Sequence, residues 1–192
     1  YAASSLTDQF GNTTSLSYDD YSLFTIGASA PLGNTTSAAY DYRTLSPWEI
    51  TDANGNRSQA AFDELGAVTK TALMGKSDES IGDTLDDPST EITFDLTAWT
   101  TNGKPVSTYV RTRETHGDSD SRWQEAYTYF DGFGRTIMTK QRVEAGSAPK
   151  QNEDGSLAYD GDELIWEDVD ERWIGDGRTI FDNKENPVKQ YE

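Results

Sequence analysis

The chain contains no cysteine and only one histidine, His116. The first absence removes any disulfide scaffold and any thiolate metal site. It leaves the compartment open, since a large secreted β protein need not use disulfides. The second removes the groups that zinc sites and nucleophilic triads require, because a lone imidazole has neither co-ligands nor a converging nucleophile and orienting acid. Apolar residues are also scarce, 34% of 192, too few to fill a large compact core. No apolar run approaches the length of a transmembrane helix, and the N-terminus shows no signal-peptide pattern. Basic residues are outnumbered, 16 against 34 acidic, for a net charge of -18. Such a chain repels phosphate backbones and anionic lipid, so nucleic acid and membrane insertion are not expected of it. The acid reads as a solubility device, with salt adaptation or a basic partner as alternatives.

What is present is a repeat. Gly11-Asn12-Thr13-Thr14-Ser15-Leu16-Ser17-Tyr18-Asp19 returns as Gly33-Asn34-Thr35-Thr36-Ser37-Ala38-Ala39-Tyr40-Asp41, and again as Gly55-Asn56-Arg57-Ser58-Gln59-Ala60-Ala61-Phe62-Asp63. Glycines and aromatics both advance by 22 residues, and a fixed period of this size marks a repeat architecture. Within each copy the pattern alternates with period two. Thr14, Leu16 and Tyr18 share one face, as do Thr36, Ala38 and Tyr40, and Ser58, Ala60 and Phe62. Alternation rich in Thr and aromatics predicts strands, and aromatics at 11% with regular spacing are not the composition of a disordered chain. The Gly-Asn pair before each strand predicts a turn, because both residues tolerate positive φ. Return segments at 23–26, 45–50 and 67–72 complete each unit as an up-and-down pair. A single hairpin cannot bury its own apolar face, so neighbours must pair beside it.

Phe62-Asp63-Glu64-Leu65-Gly66 adds an aromatic-Asp-x-x-Gly string, repeated more loosely as Tyr129-Phe130-Asp131-Gly132-Phe133-Gly134-Arg135. In such a string the aspartate accepts backbone N–H groups two residues on, and the glycine takes the left-handed position. The turn and packing positions singled out are therefore Gly11, Tyr18, Asp19, Gly33, Tyr40, Asp41, Gly55, Phe62, Asp63, Gly66, Asp131 and Gly134. The expected organisation is repeats over 1–74, an exposed acidic loop over 75–90, further β-hairpins over 91–143, an acidic irregular loop over 144–163, and terminal strands over 164–192. Asn102-Gly103 reads as a hairpin turn, and 164–173 as one short helical turn. The fold class is all-β, antiparallel hairpin repeats in a continuous curved sheet. The opening residues already follow a strand-like pattern, which reads as part of something longer.

Candidate chemistry is thin. His116 beside Gly117 and Asp118 reads as a turn histidine. The pairs Asp19-Asp20, Asp86-Asp87 and the run Asp160-Gly161-Asp162-Glu163 would make a glycosidase only if two carboxyls met about 5–10 Å apart in a cleft, one with a raised pKa. Asp118-Ser119-Asp120 and Asn152-Glu153-Asp154-Gly155 supply clustered oxygens, but neither fits a calcium loop with its closing Glu. No catalytic, cofactor or metal residue is assigned. Tyr18, Tyr40, Phe62, Trp48, Trp99, Trp123, Trp166 and Trp173 form either a packing face or a sugar-stacking row. Packing is the expectation where aliphatics are few, and burial discriminates the two.

The aromatic-Asp-x-x-Gly strings spaced from Gly-Asn resemble the YD repeat of the Rhs family. Thr112-Arg113-Glu114-Thr115-His116-Gly117-Asp118, Asp131-Gly132-Phe133-Gly134-Arg135 and Phe181-Asp182-Asn183-Lys184-Glu185-Asn186-Pro187-Val188-Lys189-Gln190-Tyr191-Glu192 are similar, in the same order, to the middle-to-C-terminal region of the B component of insecticidal Tc (ABC) toxin complexes. The likeness extends over the chain except the two acidic loops. It implies a β-sheet spiral forming part of a hollow shell, in which B and C components enclose the toxic segment of C. It also implies partners: the remainder of the same B-type component, a C-type component carrying the toxic segment, and indirectly a pore-forming A component docked by a β-propeller outside this stretch. The implied protein is secreted, structural and not an enzyme. Self-cleavage belongs to the C component, and no catalytic residue carries over. The alternatives are a secreted or cell-surface carbohydrate-binding module of YD repeats, and a hydrolase.

Overall fold

The computed structural model describes residues 2–191. The repeats form paired strands: β1 (Ser5–Thr7), β2 (Thr13–Tyr18), β3 (Thr25–Ser29), β4 (Thr35–Asp41), β5 (Ser46–Thr51), β6 (Arg57–Phe62) and β7 (Val68–Met74). They are followed by β8 (Thr90–Asp95), a short helix α1 (Ala98–Asn102), β9 (Val106–Arg113), β10 (Trp123–Phe130) and β11 (Thr136–Val143). The remainder is β12 (Gly146–Pro149), β13 (Tyr159–Asp160), β14 (Glu163–Leu164), β15 (Trp166–Val169), β16 (Arg172–Asp176), β17 (Arg178–Phe181) and β18 (Pro187–Tyr191). One sheet of 12 strands runs in the order β1 to β11 and then β16, while β12 pairs with β15, β13 with β14 and β17 with β18. The protein is all-β and nearly all antiparallel.

Two compact units are distinguished, one holding residues up to Ile92 with Arg111–Trp123, the other Thr93–Val110 with Gln124–Glu192. Among the described residues the buried apolar side chains are all small, Ala72, Ala98, Ala158 and Pro88. The scarcity of aliphatic residues is thus expressed directly. Stability rests on ladder hydrogen bonds and half-buried cross-strand pairs, each worth only about 0.2–1 kcal/mol.

A register shift recurs at one place in the repeat. It falls between Ser17 and Tyr18, Ala39 and Tyr40, and Ala61 and Phe62, the same step of 22 residues as the sequence. It recurs at Tyr129/Phe130 and Ile180/Phe181. Each aromatic that precedes a turn aspartate therefore stands at an irregularity where the strand bends and twists more strongly.

Four sequence expectations are corrected. Asn102-Gly103 is not a two-residue hairpin turn. Ala98–Asn102 is helical, and Gly103 is its left-handed cap at φ 69, donating its N–H to Trp99 C=O. The expected helical turn over 164–173 is absent, and β15 and β16 occupy it. The alternation there is too short for periodicity alone to decide. The 75–90 stretch is continuously exposed only over 76–81; beyond it Thr84, Asp86 and Asp87 are exposed while Asp83, Pro88 and Ser89 are buried. The 144–163 stretch is not wholly irregular, for it contains β12 and β13.

Candidate functional site

In the first unit the repeat glycines Gly11, Gly33 and Gly55 sit at φ 85, 85 and 88°. Each closes a turn whose first residue lies three positions before it. Asp8 accepts the Gly11 N–H at its carbonyl (3.1 Å), and the Phe10 and Asn12 N–H groups at Oδ1, both 2.9 Å. Asp52 accepts Asn54 and Asn56 in the same way, both 2.8 Å. The Asn12 amide, seconded by its backbone N–H, holds the Asp8 carboxyl below its ordinary pKa, and Asn56 does the same for Asp52. Ala30 occupies the equivalent position before Gly33. Its backbone bonds are those of the other two turns, but no carboxylate is there to accept from Leu32 and Asn34.

At the other ends of these strands Asp19, Asp41 and Asp63 start the turns. Asp19 Oδ1 accepts from Leu23 (2.7 Å) and Phe24 (2.8 Å). Asp63 Oδ1 accepts from Leu65 (2.9 Å) and Ala67 (2.8 Å), and Gly66 sits at φ 84°. Asp41 Oδ1 accepts from Arg43 (2.8 Å). The Tyr42 hydroxyl donates to Asp19 (2.6 Å), which pushes the Tyr42 pKa up to about 12. Tyr18, Tyr40 and Phe62 are half-buried. Tyr40 stacks on Phe24 with centroids 4.3 Å apart.

The second unit repeats the device at Asp131 and at Asp182, whose Oδ1 accepts from Lys184 (2.8 Å) and Asn186 (2.9 Å). Asp131 Oδ1 accepts from Phe133 (2.9 Å) and Arg135 (3.0 Å), with Gly134 at φ 78°. Burial raises the Asp131 carboxyl, but bonds from Arg135 outweigh this and hold it below its usual range. The Arg135 guanidinium also lies 4.3 Å from the Phe181 ring centroid, coupling this turn to β17. Tyr127 anchors an aromatic row, 4.8 Å from Tyr109 and 5.3 Å from Trp173.

The polar centre of the first unit was not legible in the sequence. Asp83 has no exposed side-chain surface and Arg113 only 1%. Asp83 accepts from Ser89 Oγ (2.5 Å), from His116 Nδ1 (2.6 Å) and from the Gly117 N–H (2.7 Å). Arg113 Nε lies 3.7 Å from Asp83, and its guanidinium also pairs with Asp87 and donates to the carbonyls of Pro88 and Asp118. The Trp123 ring covers it at 5.0 Å. Burial raises the Asp83 carboxyl, but the bonds from Gly117, Ser89 and His116 together hold it below its ordinary range. The backbone completes the lock. Asp83 N–H donates to Leu73 C=O (2.8 Å), Ser89 N–H to Thr71 C=O (2.9 Å), and Arg113 N–H to Ser89 C=O (2.8 Å).

His116 is thus a turn residue that pins its loop to Asp83. Although a serine, a histidine and an aspartate meet here, they do not form a relay. Ser89 Oγ and His116 Nδ1 bond the same carboxylate oxygen, so the serine proton is held by the acid and not by a base. Each aspartate with a displaced carboxyl pKa, including Asp154 and Asp182, is displaced downward, the opposite of a general acid. Among the described residues no group of three or more His, Cys, Asp or Glu side chains is arranged to hold a metal ion.

The aromatic set divides. Trp123 and Trp173 are half-buried with Tyr18, Tyr40 and Phe62, whereas Trp48, Trp99 and Trp166 are exposed. The packing expectation therefore fails for those three tryptophans, which are 38%, 69% and 58% exposed. Trp99 lines a cavity of about 400 Å³ with Pro105, Val106, Phe130 and Ile137. These walls are almost wholly apolar and offer few of the oriented polar groups by which binding sites fix a ligand's orientation.

No protein-family model and no curated protein matches the sequence. Solved structures do. A chain in the crystal structure of TcdB2-TccC3 superposes with a TM-score of 0.75 at 25% identity, over 93% of this chain and 10% of that one. The fold is that of a stretch of a Tc toxin chain. A chain of the Photorhabdus luminescens Tc holotoxin pore gives a TM-score of 0.72 at 20% identity, over 93% of this chain and 12% of that one. A chain of the TcdB2-TccC3-Cdc42 crystal structure gives 0.73 at 20% identity, with 94% and 12% covered. The protein spans about a tenth of the length of these chains. No helix is long and apolar enough to cross a membrane among the described residues.

Proposed function

We propose that this chain is a structural segment of a Tc-type toxin component, a piece of β-sheet wall that encloses a toxic polypeptide before delivery. The observation that carries the reading is the superposition along nearly the whole chain on a Tc toxin chain. Among the described residues Ala72 is the only buried apolar side chain within a strand, which supports the reading, since a wall needs extended surface and continuous ladders and not a packed interior. On this reading the protein is a secreted Rhs/YD-repeat component of a virulence factor. Its partners are the remainder of a B-type component, a C-type component carrying the toxic segment, and indirectly a pore-forming A component. It performs no catalysis. The downward-displaced carboxyls and the serine committed to Asp83 fit that role.

The test is a graft. Residues 2–191 replace the matching stretch of a Tc toxin chain, and the chimera is assembled with its toxin-bearing partner. Assembly with the enclosed polypeptide protected from added protease is the expected outcome. A chimera that assembles but leaves that polypeptide fully digestible would refute the enclosure role.

A further inference from the structure

The aromatic that precedes a turn aspartate has a ring beside it in one hairpin and a space beside it in another. Tyr40 precedes Asp41 near the end of β4, and Phe24 stands immediately ahead of the neighbouring β3. Their rings stack at 4.3 Å, within 9° of parallel. Phe130 precedes Asp131 at the end of β10 in the same way, and its neighbour is β9. The residue immediately ahead of β9 is Pro105. The chain reaches it through α1 and not through a tight turn of the kind that delivers Phe24. A proline offers no ring face to stack on Phe130, and the cavity of about 400 Å³ in the second unit opens there.

The walls say what fits. Phe130 and Trp99 both line the cavity, and among the described residues neither has a ring partner. Two unpaired rings attract a third, in offset-stacked or edge-to-face arrangement. Val106 and Ile137 add aliphatic surface. An apolar cavity of roughly 150 Å³ already admits a benzene, so there is room here for any aromatic side chain. The scarcity of polar groups on the walls decides the source of the ring. A free ligand needs such groups to fix its orientation, whereas a side chain is oriented by its own backbone outside the cavity.

We propose that this cavity is the anchor site for one aromatic side chain of a second polypeptide, seated against Phe130 and Trp99 as Phe24 is seated on Tyr40. Aromatic anchors in well-packed pockets carry much of the energy of protein recognition. The contact is a single ring and its flanks, so an isolated peptide binds weakly, with a Kd of roughly 0.1–1 mM. An assembly that holds the segment nearby makes up the difference through its effective concentration. The inference stands on this cavity and does not depend on the enclosure reading.

Three probes test this: a capped Gly-Gly-Trp-Gly-Gly peptide, its counterpart with alanine in place of tryptophan, and indole. Each is titrated into the purified, isotope-labelled chain and followed by backbone amide shifts. The tryptophan peptide gives saturable shifts centred on residues 98–106 and 130–137, and the alanine peptide gives none. Trp99→Ala removes one of the two rings and weakens binding roughly tenfold. Pro105→Phe puts a ring where the repeat has one and abolishes binding. Trp48→Ala removes an exposed tryptophan that does not line the cavity and leaves binding unchanged. Position 105 is exposed, so the fold accepts the larger side chain, and far-UV circular dichroism verifies it. If that variant does not fold, Trp99→Ala against Trp48→Ala carries the comparison. No saturable shift with the tryptophan peptide would overturn the proposal. So would binding of indole without binding of the peptide, which would make the occupant a free small molecule, or peptide binding that survives both cavity substitutions undiminished.

Discussion

Asp52 and Asp83 belong to the same unit and use the same atoms in opposite settings. Asp52 starts a turn at the rim, faces water, and accepts two backbone N–H groups with one oxygen. Asp83 has no exposed side-chain surface and gathers a hydroxyl, an imidazole and a backbone N–H from two loops and a guanidinium from the end of β9. The first kind recurs, at Asp8 and Asp63 in the same unit. The second occurs once. Repeat turns share the load among many equivalent positions, so each is dispensable. The centre concentrates it, so loss of one member leaves buried charge behind.

The comparison is broken most forcefully at the centre. Asp83→Ala leaves Arg113 buried with only Asp87 as its acidic partner, and breaking a buried pair from one side costs about 3–5 kcal/mol. Because Asp87 remains, we expect the lower end of that range in urea unfolding. A loss below about 1 kcal/mol would show that the centre carries no more than a surface pair.

The same substitution at two glycines sharpens the contrast. Gly82 and Gly33 both have positive φ, 86° and 85°. A Cβ at Gly82 would stand 2.6 Å from Leu73 C=O and 2.9 Å from Met74 Cα, both backbone atoms, whereas at Gly33 nothing lies within 4 Å. Gly33→Ala therefore costs only the left-handed conformation, about 1–2 kcal/mol. Gly82→Ala costs that and displaces β7 or Asp83 besides, roughly 3 kcal/mol or more. Equal midpoint shifts for the two would erase the distinction.

Acid touches both regions with one sign. The folded carboxyls of Asp8, Asp52, Asp83, Asp131 and Asp182 lie below their ordinary value of 3.8. Their contribution is fully present above that value and is lost as pH falls through the folded pKa values, because the unfolded chain then binds more protons. Urea midpoints should be flat at mildly acidic pH and drop below about pH 4. A midpoint that rises on acidification through that window would contradict the assigned shifts.

The rim was readable from the sequence and the centre was not, for a physical reason. A repeat writes its turn chemistry several times, so Gly11, Gly33 and Gly55 stand out by spacing, and their residue types imply left-handed turns. Even so, the aspartate that caps the Gly11 turn is Asp8, three residues upstream, outside the string that first drew attention. The centre is assembled from residues 83, 87, 89, 113, 116 and 123, which no local pattern connects. A charged residue in a Gly- and Asp-rich stretch reads as solvated, and only three-dimensional closure shows Asp83 and Arg113 to be interior. The helix at Ala98–Asn102 was hidden for another reason: it is a single turn, too short for periodicity, and its Gly103 cap has the composition of a hairpin turn. The exposure of Trp48, Trp99 and Trp166 was equally invisible, since alternation places a side chain on a face and does not say whether anything covers it.

The smallest effect is the most discriminating, because the protein supplies its own control. Ala30 stands where Asp8 and Asp52 stand, in a turn with the same backbone hydrogen bonds. Pro31 follows it, but the carboxylate of an aspartate there would accept from the N–H groups of residues 32 and 34, neither of which is proline. Ala30→Asp should therefore raise the urea midpoint at neutral pH by a small increment, well under half the size of the Asp83→Ala loss. The added carboxyl would have its pKa lowered like those of Asp8 and Asp52, so the gain should vanish as pH falls below about 4. A gain that persists in acid would come from something other than the carboxylate accepting backbone hydrogen bonds. No gain at neutral pH would mean that the glycine and the backbone alone close these turns, and that the aspartates of the rim are ornament to a conformation already fixed.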